Sequence, residues 1–379
     1  MNNNKYIDRI TVQSPKEDKN FEYYNVFSPK DLDESLTFSN EWSSKKGIHF
    51  VIRNGKLVGI TKNGNPVMAQ NGVIYTESTE PFSFTIGGNT YNVESGPQWT
   101  ELNVEGITSL ASMFKGINCL TSLSLCMDTS QLREIGDTFA GCTNLISLDL
   151  SQWNTTNVTN MSSMFSGCSH LITLDVSGWD TSAVINMQYM FKDCSSLTTL
   201  DVSGWDTSAC TNMSYVFIDC LNLETLDLRN WDVSKATTFQ NIAYNCQSLK
   251  EFKTNGLYND ITTSIYQMFR GCRLLQSIDL TGLNPHNCVR TYAAFVGCES
   301  LTSLRFPLMG CIVADNDMNR YIELGSSPLD RASLDSIFAY DRTANGLTNP
   351  LTVQLSAASK ALLTPEEIAA ITAKGYTIA

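Results

Sequence analysis

The chain has 379 residues, with 26 Lys and Arg against 38 Asp and Glu, a formal net charge of −12, and only 17% charged residues. That balance excludes the basic surface that nucleic acid or an anionic membrane requires. No run of 18 apolar residues is present, so no membrane-spanning helix is expected, and the length suits two or three domains.

The N-terminus, Met1 to Asp8, lacks an apolar core, so no signal peptide is expected. Three routes stay open: a mature chain with a new start, a different export path, or use without export. Residues 1–42 read as an N-terminal arm, mixed and polar from Phe21 to Trp42. Residues 43–100 read as a small β-rich domain. His49 to Arg53 and Lys56 to Ile60 flank Asn54-Gly55, a pair suited to a type I′ hairpin turn. Asn71-Gly72 and Gly87-Gly88-Asn89 mark further turns between short strands.

Residues 101–310 form a repeat. Cys142, Cys168, Cys194, Cys220, Cys246, Cys272 and Cys298 recur every 26 residues. Phe139, Phe165, Phe191, Phe217, Phe269 and Phe295 keep the same step, with Ala243 in the remaining slot. Leu145, Leu171, Leu197, Leu223, Leu249, Leu275 and Leu301 follow each Cys. Trp153, Trp179, Trp205 and Trp231 form another ladder, continued by Leu257 and Leu283; Met161, Met187 and Met213 form a further one. With one weaker copy from Met113 to Leu125, about eight units result. A fixed period of this length means a solenoid, in which no unit buries its core alone.

Leu145, Leu148 and Leu150 end in alternation, which reads as a short strand with Leu148 and Leu150 inward. Ser147, Asp149 and Ser151 then point outward. Val158, Met161, Met164 and Phe165 have three- and four-residue spacing, which reads as a short or 3₁₀ helix. Asn154, Asp180, Asp206 and Asp232 follow Trp at a turn position.

The cysteine ladder reads as a spine of buried thiols rather than disulfides, and the Trp ladder as core. No CxxC pair or Cys/His cluster occurs, so neither metal nor cofactor is expected. The candidate binding residues are the outward strand positions Asp149, Asp175, Asp201, Asp227, Lys253, Asp279 and Arg305. A second patch, where the repeat loses its Phe, Trp and Asp, comprises Tyr244, Glu251, Lys253 and Tyr258. Like charges on neighbouring strands repel by about 1 kcal/mol per pair in water. Either backbone N–H groups of the next turn offset this, or the row is an acidic stripe for a cationic partner. Catalysis is not expected: His49, His170 and His286 fall in different segments, and no nucleophile elbow or P-loop is present.

Residues 311–379 read as a capping region. Pro350 to Leu355 suits a last strand. Thr364-Pro365-Glu366-Glu367 opens a helix that Gly375 ends.

Residues 190–208, Met-Phe-x-x-Cys-x-x-Leu-x-x-Leu-Asp-Val-Ser-x-Trp-Asp-Thr-Ser, resemble the BspA-like leucine-rich repeat family in its 26-residue form. The resemblance implies an α/β solenoid: a leucine-rich-repeat right-handed superhelix with a parallel β-sheet face. It also implies adhesion through protein or glycan binding at a cell surface. Apart from the resemblance, the N-terminal domain is expected to attach the chain to a larger assembly, and a homo-oligomer stays open. Lys5 to Val12 and Phe84 to Tyr91 look like segments of phage and prophage structural proteins. The tail from Leu363 to Thr377 is similar to endings of repeat proteins from gut bacteria and their phages. These ends imply a virion component, a tail or head decoration engaging a host. A bacterial adhesin, extracellular or on the cell surface, and a structural spacer are the alternatives.

Overall fold

The computed structural model describes residues 71–104, 106–150, 153–254, 264–281, 291–306, 321–344 and 349–379, and the backbone of six earlier strands. Those strands are β1 (Ile10–Gln13), β2 (Asn20–Tyr23), β3 (Leu36–Ser39), β4 (Ile48–Arg53), β5 (Lys56–Lys62) and β6 (Asn65–Pro66). They form one antiparallel sheet in the order β2-β1-β3-β4-β5-β6. The β4–β5 pair carries the expected hairpin, while its Asn54-Gly55 turn lies outside the described residues. The β3–β4 pairing runs across position 42, so the arm and the following strands share a sheet.

β7 (Asn71–Ser78), β10 (Gly96–Asn103), β11 (Leu120–Cys126) and β12 (Ser147–Asp149) form a second sheet in the order β10-β7-β11-β12. Asn71-Gly72, expected as a turn, instead begin β7 and face Asn103 and Leu102 across the ladder. β7 runs antiparallel to β11, and β12 runs parallel to it. β7 therefore occupies the edge that the first repeat strand would otherwise expose, a common protection for a sheet edge. The hairpin of β8 (Phe82–Ile86) and β9 (Asn89–Val93) turns at Gly87 and Gly88, both with left-handed φ. Its Phe84 ring sits 5.0 Å from Phe114 and closes that end of the Phe ladder.

Beyond β12 the repeats form a solenoid with parallel sheets. β13 (Thr225–Asp227) pairs with β14 (Glu251–Lys253), and β15 (Ser277–Asp279) with β16 (Ser303–Arg305), each residue facing the one 26 positions on. Residues 173–175 and 199–201 continue the row without forming strands. On the opposite side Ser109, Glu134, Asn160, Asn186 and Asn212 make a second parallel ladder.

The segment expected as a short helix is a run of turns. Met161, Ser163, Phe165 and Gly167 donate their N–H groups to Asn186, Gln188, Met190 and Lys192, at 3.0, 2.8, 2.9 and 2.7 Å. Alternate amides thus bond the next coil rather than the preceding helical turn. Left-handed φ at Ser163 and Gly167 breaks the run that a helix needs. The same pair of positions recurs as Asp137 and Gly141, Tyr189 and Asp193, Tyr215 and Asp219, and Asn241 and Asn245.

The core is a set of columns. Phe114, Phe139, Phe165, Phe191 and Phe217 stack in sequence, with centroids 5.5–5.8 Å apart. Trp153, Trp179, Trp205 and Trp231 stack at 6.2–6.5 Å. The ladder cysteines are fully buried free thiols. Each Sγ donates to a carbonyl of the preceding coil: Cys168 to Phe139 (3.2 Å), Cys194 to Phe165 (3.1 Å), Cys220 to Phe191 (3.1 Å). Each of these carbonyls also accepts a backbone N–H, from Cys142, Cys168 and Cys194 at 3.1, 3.0 and 3.1 Å, so the thiol adds a bond at the second lone pair.

The C-terminal cap is built from β17 (Tyr321–Leu324), α1 (Arg331–Ile337), β18 (Leu351–Leu355), α2 (Ala357–Lys360), α3 (Pro365–Ala373) and β19 (Tyr376–Ile378). Ser hydroxyls finish the solenoid's open ladder. Ser327 Oγ donates to the Cys298 carbonyl at 3.1 Å, and Ser333 Oγ accepts the Leu304 N–H at 2.8 Å. α3 has the expected capping box, with Thr364 and Glu367 bonded reciprocally, and ends before left-handed Gly375.

Candidate functional site

The outward strand positions line a groove of about 730 Å³ that crosses five consecutive repeats. Ser147, Thr173, Thr199 and Thr225 stand along one margin. Asp149, Asp175, Asp201, Asp227 and Lys253 follow two residues on, because side chains alternate across a strand. Leu148, Leu174 and Leu200 form the floor. Asp279 and Arg305 continue the row on β15 and β16.

The aspartates are held differently from the expectation. Asp175, Asp201 and Asp279 each accept bonds from the residue two positions on in their own coil. Ser177 donates N–H and Oγ to Asp175 Oδ1 at 3.2 and 2.7 Å. Ser203 does the same to Asp201 at 3.0 and 2.7 Å, and Thr281 to Asp279 at 3.0 and 2.7 Å. The two-residue reach is an Asx-type turn, which a strand ending in Asp-x-Ser closes locally. Cations stand at one end of the row. Arg229 bonds Asp227 at 2.6 Å, Arg305 approaches Asp279 at 4.0 Å, and Lys253 pairs with Glu251 at 2.7 Å. The Arg229 guanidinium holds the Asp227 carboxyl below the usual carboxylate range.

The described residues of the second expected patch lie on two kinds of segment. Glu251 and Lys253 stand on β14, whereas Tyr244 belongs to the turn segment, its N–H donated to the Asn241 carbonyl at 3.3 Å. Tyr258 lies outside the described residues, as do Ser151, Leu257 and Leu283.

The Trp and Cys ladders are core. Trp205 and Trp231 donate Nε1–H to the Val176 and Val202 carbonyls at 3.1 and 3.0 Å. Burial pushes the ladder thiols up, Cys142, Cys246 and Cys298 to about 12. Such thiols carry almost no thiolate at neutral pH.

The turn side holds a feature outside the candidates above. Tyr189 and Tyr215 stack with centroids 4.6 Å apart, and Tyr266 and Tyr292 at 6.0 Å. Between the pairs, Gln240 Nε2 donates to the Tyr215 hydroxyl at 2.6 Å. Asn241 is buried beside them, and its Oδ1 has no partner. Tyr189 and Tyr215 have φ of 60° and 63°, a conformation that costs an L-residue about 1–2 kcal/mol. Each tyrosine pair repeats at the 26-residue step in the sequence, but only the turn geometry places the pairs on one face.

Together these features define a repeat solenoid that presents side chains in register on extended faces, an architecture suited to binding. A family model described as "Mycoplasma protein of unknown function, DUF285" matches residues 88–197 and again residues 170–283. The two matches span just over half of the 379 residues, and the chain belongs to this family. No curated protein matches it.

Proposed function

We propose that the chain is a non-enzymatic recognition protein that binds a protein or glycan along the groove of its strand face. The observation that carries this reading is the groove itself, where polar side chains of five repeats stand in register, with an Asp at the same position in four and Lys253 in the fifth. The periodic fold makes such a face cheap to build and easy to vary by position. BspA-like repeat adhesion proteins are the class that the repeat motif resembles, and tandem matches to a repeat family are in keeping with it. On this reading the six-stranded N-terminal sheet attaches the solenoid to a larger assembly. The resemblance of both ends to phage proteins favours a virion, as a tail or head decoration.

Replacing Asp175, Asp201 and Lys253 together by Ala tests the groove. Binding of the full chain to intact candidate host cells should fall at least tenfold, on the usual scale for several interface residues. Unchanged binding would instead favour a structural spacer. Mass spectrometry of purified virus-like particles, against peptides shaved from intact cells, tests the setting. Recovery only from shaved cells would exclude the virion and support an adhesin.

A further inference from the structure

We infer that the strand-face groove takes an extended, basic polypeptide segment of a partner protein, with a Lys or Arg at every second residue. This rests on the groove being a binding surface, as proposed above, and names what binds there.

The sheet is open where the groove lies. Strands pair at three steps of the row, and at each a non-acidic residue stands beside the Asp: Ser124 beside Asp149, Lys253 beside Asp227, Arg305 beside Asp279. At the three steps where Asp follows Asp, from Asp149 through Asp175 and Asp201 to Asp227, no strand pairing forms among the described residues. The open segments Thr173-Leu174-Asp175 and Thr199-Leu200-Asp201 have the sequence of paired Thr225-Leu226-Asp227, so local propensity does not separate open from paired. Like charges directly opposite destabilise a strand pair. The step from Lys253 to Asp279 is also unpaired, so charge is not the only cause.

The opening leaves donors in need of acceptors. The N–H groups of Thr173, Leu174, Thr199 and Leu200, all residues of the groove lining, have no hydrogen-bond partner among the described residues. Two indoles repeat the pattern. Trp205 and Trp231 donate to carbonyls of the preceding coil, but Nε1 of Trp153 and of Trp179, residues more than nine-tenths buried, has no partner. The register that sends Trp205 to Val176 aims Trp179 at Leu150, a residue of the groove wall. A polypeptide brings carbonyl acceptors together with its cations; a metal ion or a polyamine does not. Among the described residues no three His, Cys, Asp or Glu groups converge on one point, so the row suits a row of cations.

The spacing selects an extended chain. Equivalent rings in successive coils are displaced by the coil repeat itself. The Trp column, just beyond the row, steps by 6.2–6.5 Å, wider than the roughly 4.8 Å of paired strands. An extended chain repeats its same-face side chains about every 6.6–6.8 Å, so alternate residues meet successive aspartates. The aliphatic stems of Lys or Arg would lie on Leu148, Leu174 and Leu200, which keep 7–8% exposure where Leu226 has none.

The test is fluorescence anisotropy of the full chain with a labelled octapeptide of alternating Lys and Thr, beside an isomer with its four Lys contiguous. The alternating peptide should bind saturably and more tightly than the isomer. Asp175→Asn with Asp201→Asn keeps an acceptor for Ser177 and Ser203, and should weaken binding at least about tenfold. Asp180→Asn with Asp206→Asn removes the same charge from exposed turns outside the groove lining, and should change binding by no more than about twofold. Amide exchange in residues 173–175 and 199–201 should slow when the peptide is bound. No peptide binding, equal affinity for the two isomers, or equal loss in the two double variants overturns the inference. Binding of CaCl2 or spermine, but not of peptide, through Asp175 and Asp201 would assign the row to a small cation and also overturn it. If the triple groove variant loses cell binding while no peptide binds, the strand face remains a binding surface and only its basic partner is refuted.

Discussion

Phe191→Ala removes the middle of the aromatic column. Phe191 is fully buried, stacks on Phe165 at 5.5 Å and Phe217 at 5.7 Å, and meets Trp205 at 6.2 Å. Truncating a buried Phe costs about 3–5 kcal/mol. Each aromatic pair adds about 0.5–1.5 kcal/mol beyond its buried area, and three are lost, so the upper end applies. Phe165 is held against Phe139 at 5.8 Å and Phe217 against Trp231 at 6.2 Å, so the cavity does not collapse. In a solenoid each unit contacts only its neighbours, so the loss stays local. Amide hydrogen exchange read by peptide should show peptides across residues 165–217 losing protection about a hundredfold or more. Those around α3 should be unchanged. Ile146→Ala is the control: its side chain is 49% exposed, and its cost should stay within about 0.5 kcal/mol. A Phe191→Ala loss below about 1 kcal/mol, or an equal loss of protection in the cap, would refute the column as the source of stability.

Thiol labelling at pH 8 should leave Cys142, Cys246 and Cys298 unmodified in the native chain. Their pKa of about 12 lowers the thiolate fraction roughly a thousandfold from that of an ordinary exposed thiol. Mass spectrometry that finds native labelling there at the rate of the unfolded chain would contradict a closed spine. Gly167→Ala should destabilise by about 1–2 kcal/mol, since Gly167 has φ 79° and an added Cβ would lie 3.4 Å from the Gly141 Cα. Gly178→Ala meets open space and should be neutral or slightly stabilising in denaturant titration. The cap should loosen in acid. Arg331 bonds Glu367 at 2.6 Å and holds its carboxyl at about 2, below its unfolded value. The contribution is therefore present above the unfolded pKa, near 4.3, and is lost as pH falls toward about 2. Glu367→Gln should flatten this part of the pH profile, followed by exchange of α3 amides.

The columns were readable in the chain because one residue type at one position every 26 residues stacks on its own copies in the neighbouring coils. Cys, Phe, Leu and Trp at that step implied buried spines, and the structure buries them. The outward Asp and Thr positions followed from strand alternation, and they do line a groove. The donors to those aspartates were not legible: backbone N–H groups do reach Asp175 and Asp201, but they belong to Ser177 and Ser203, with the Ser hydroxyls beside them. The cap helix was legible from Thr364, Pro365 and Glu367, whose chemistry is local.

Val158, Met161, Met164 and Phe165 show why the rest was not. Their spacing matches a helix, yet it arises from side chains filling one side of a coil whose amides bond the next coil. A periodic pattern records which side chains face inward; it does not record where the N–H groups go. Left-handed Tyr189, Tyr215 and Ala293 carry no local signature, since nothing in their own side chains prefers that conformation. The same φ recurs at Ser112, Asp137, Ser163, Asn241 and Gln267 in that register, so the winding of the coil imposes it. Sequence periodicity thus suffices for the core and the number of coils, because burial is decided residue by residue. The turn conformation and the stacking of Tyr189 on Tyr215 depend on contacts between coils, and those exist only once the chain has wound.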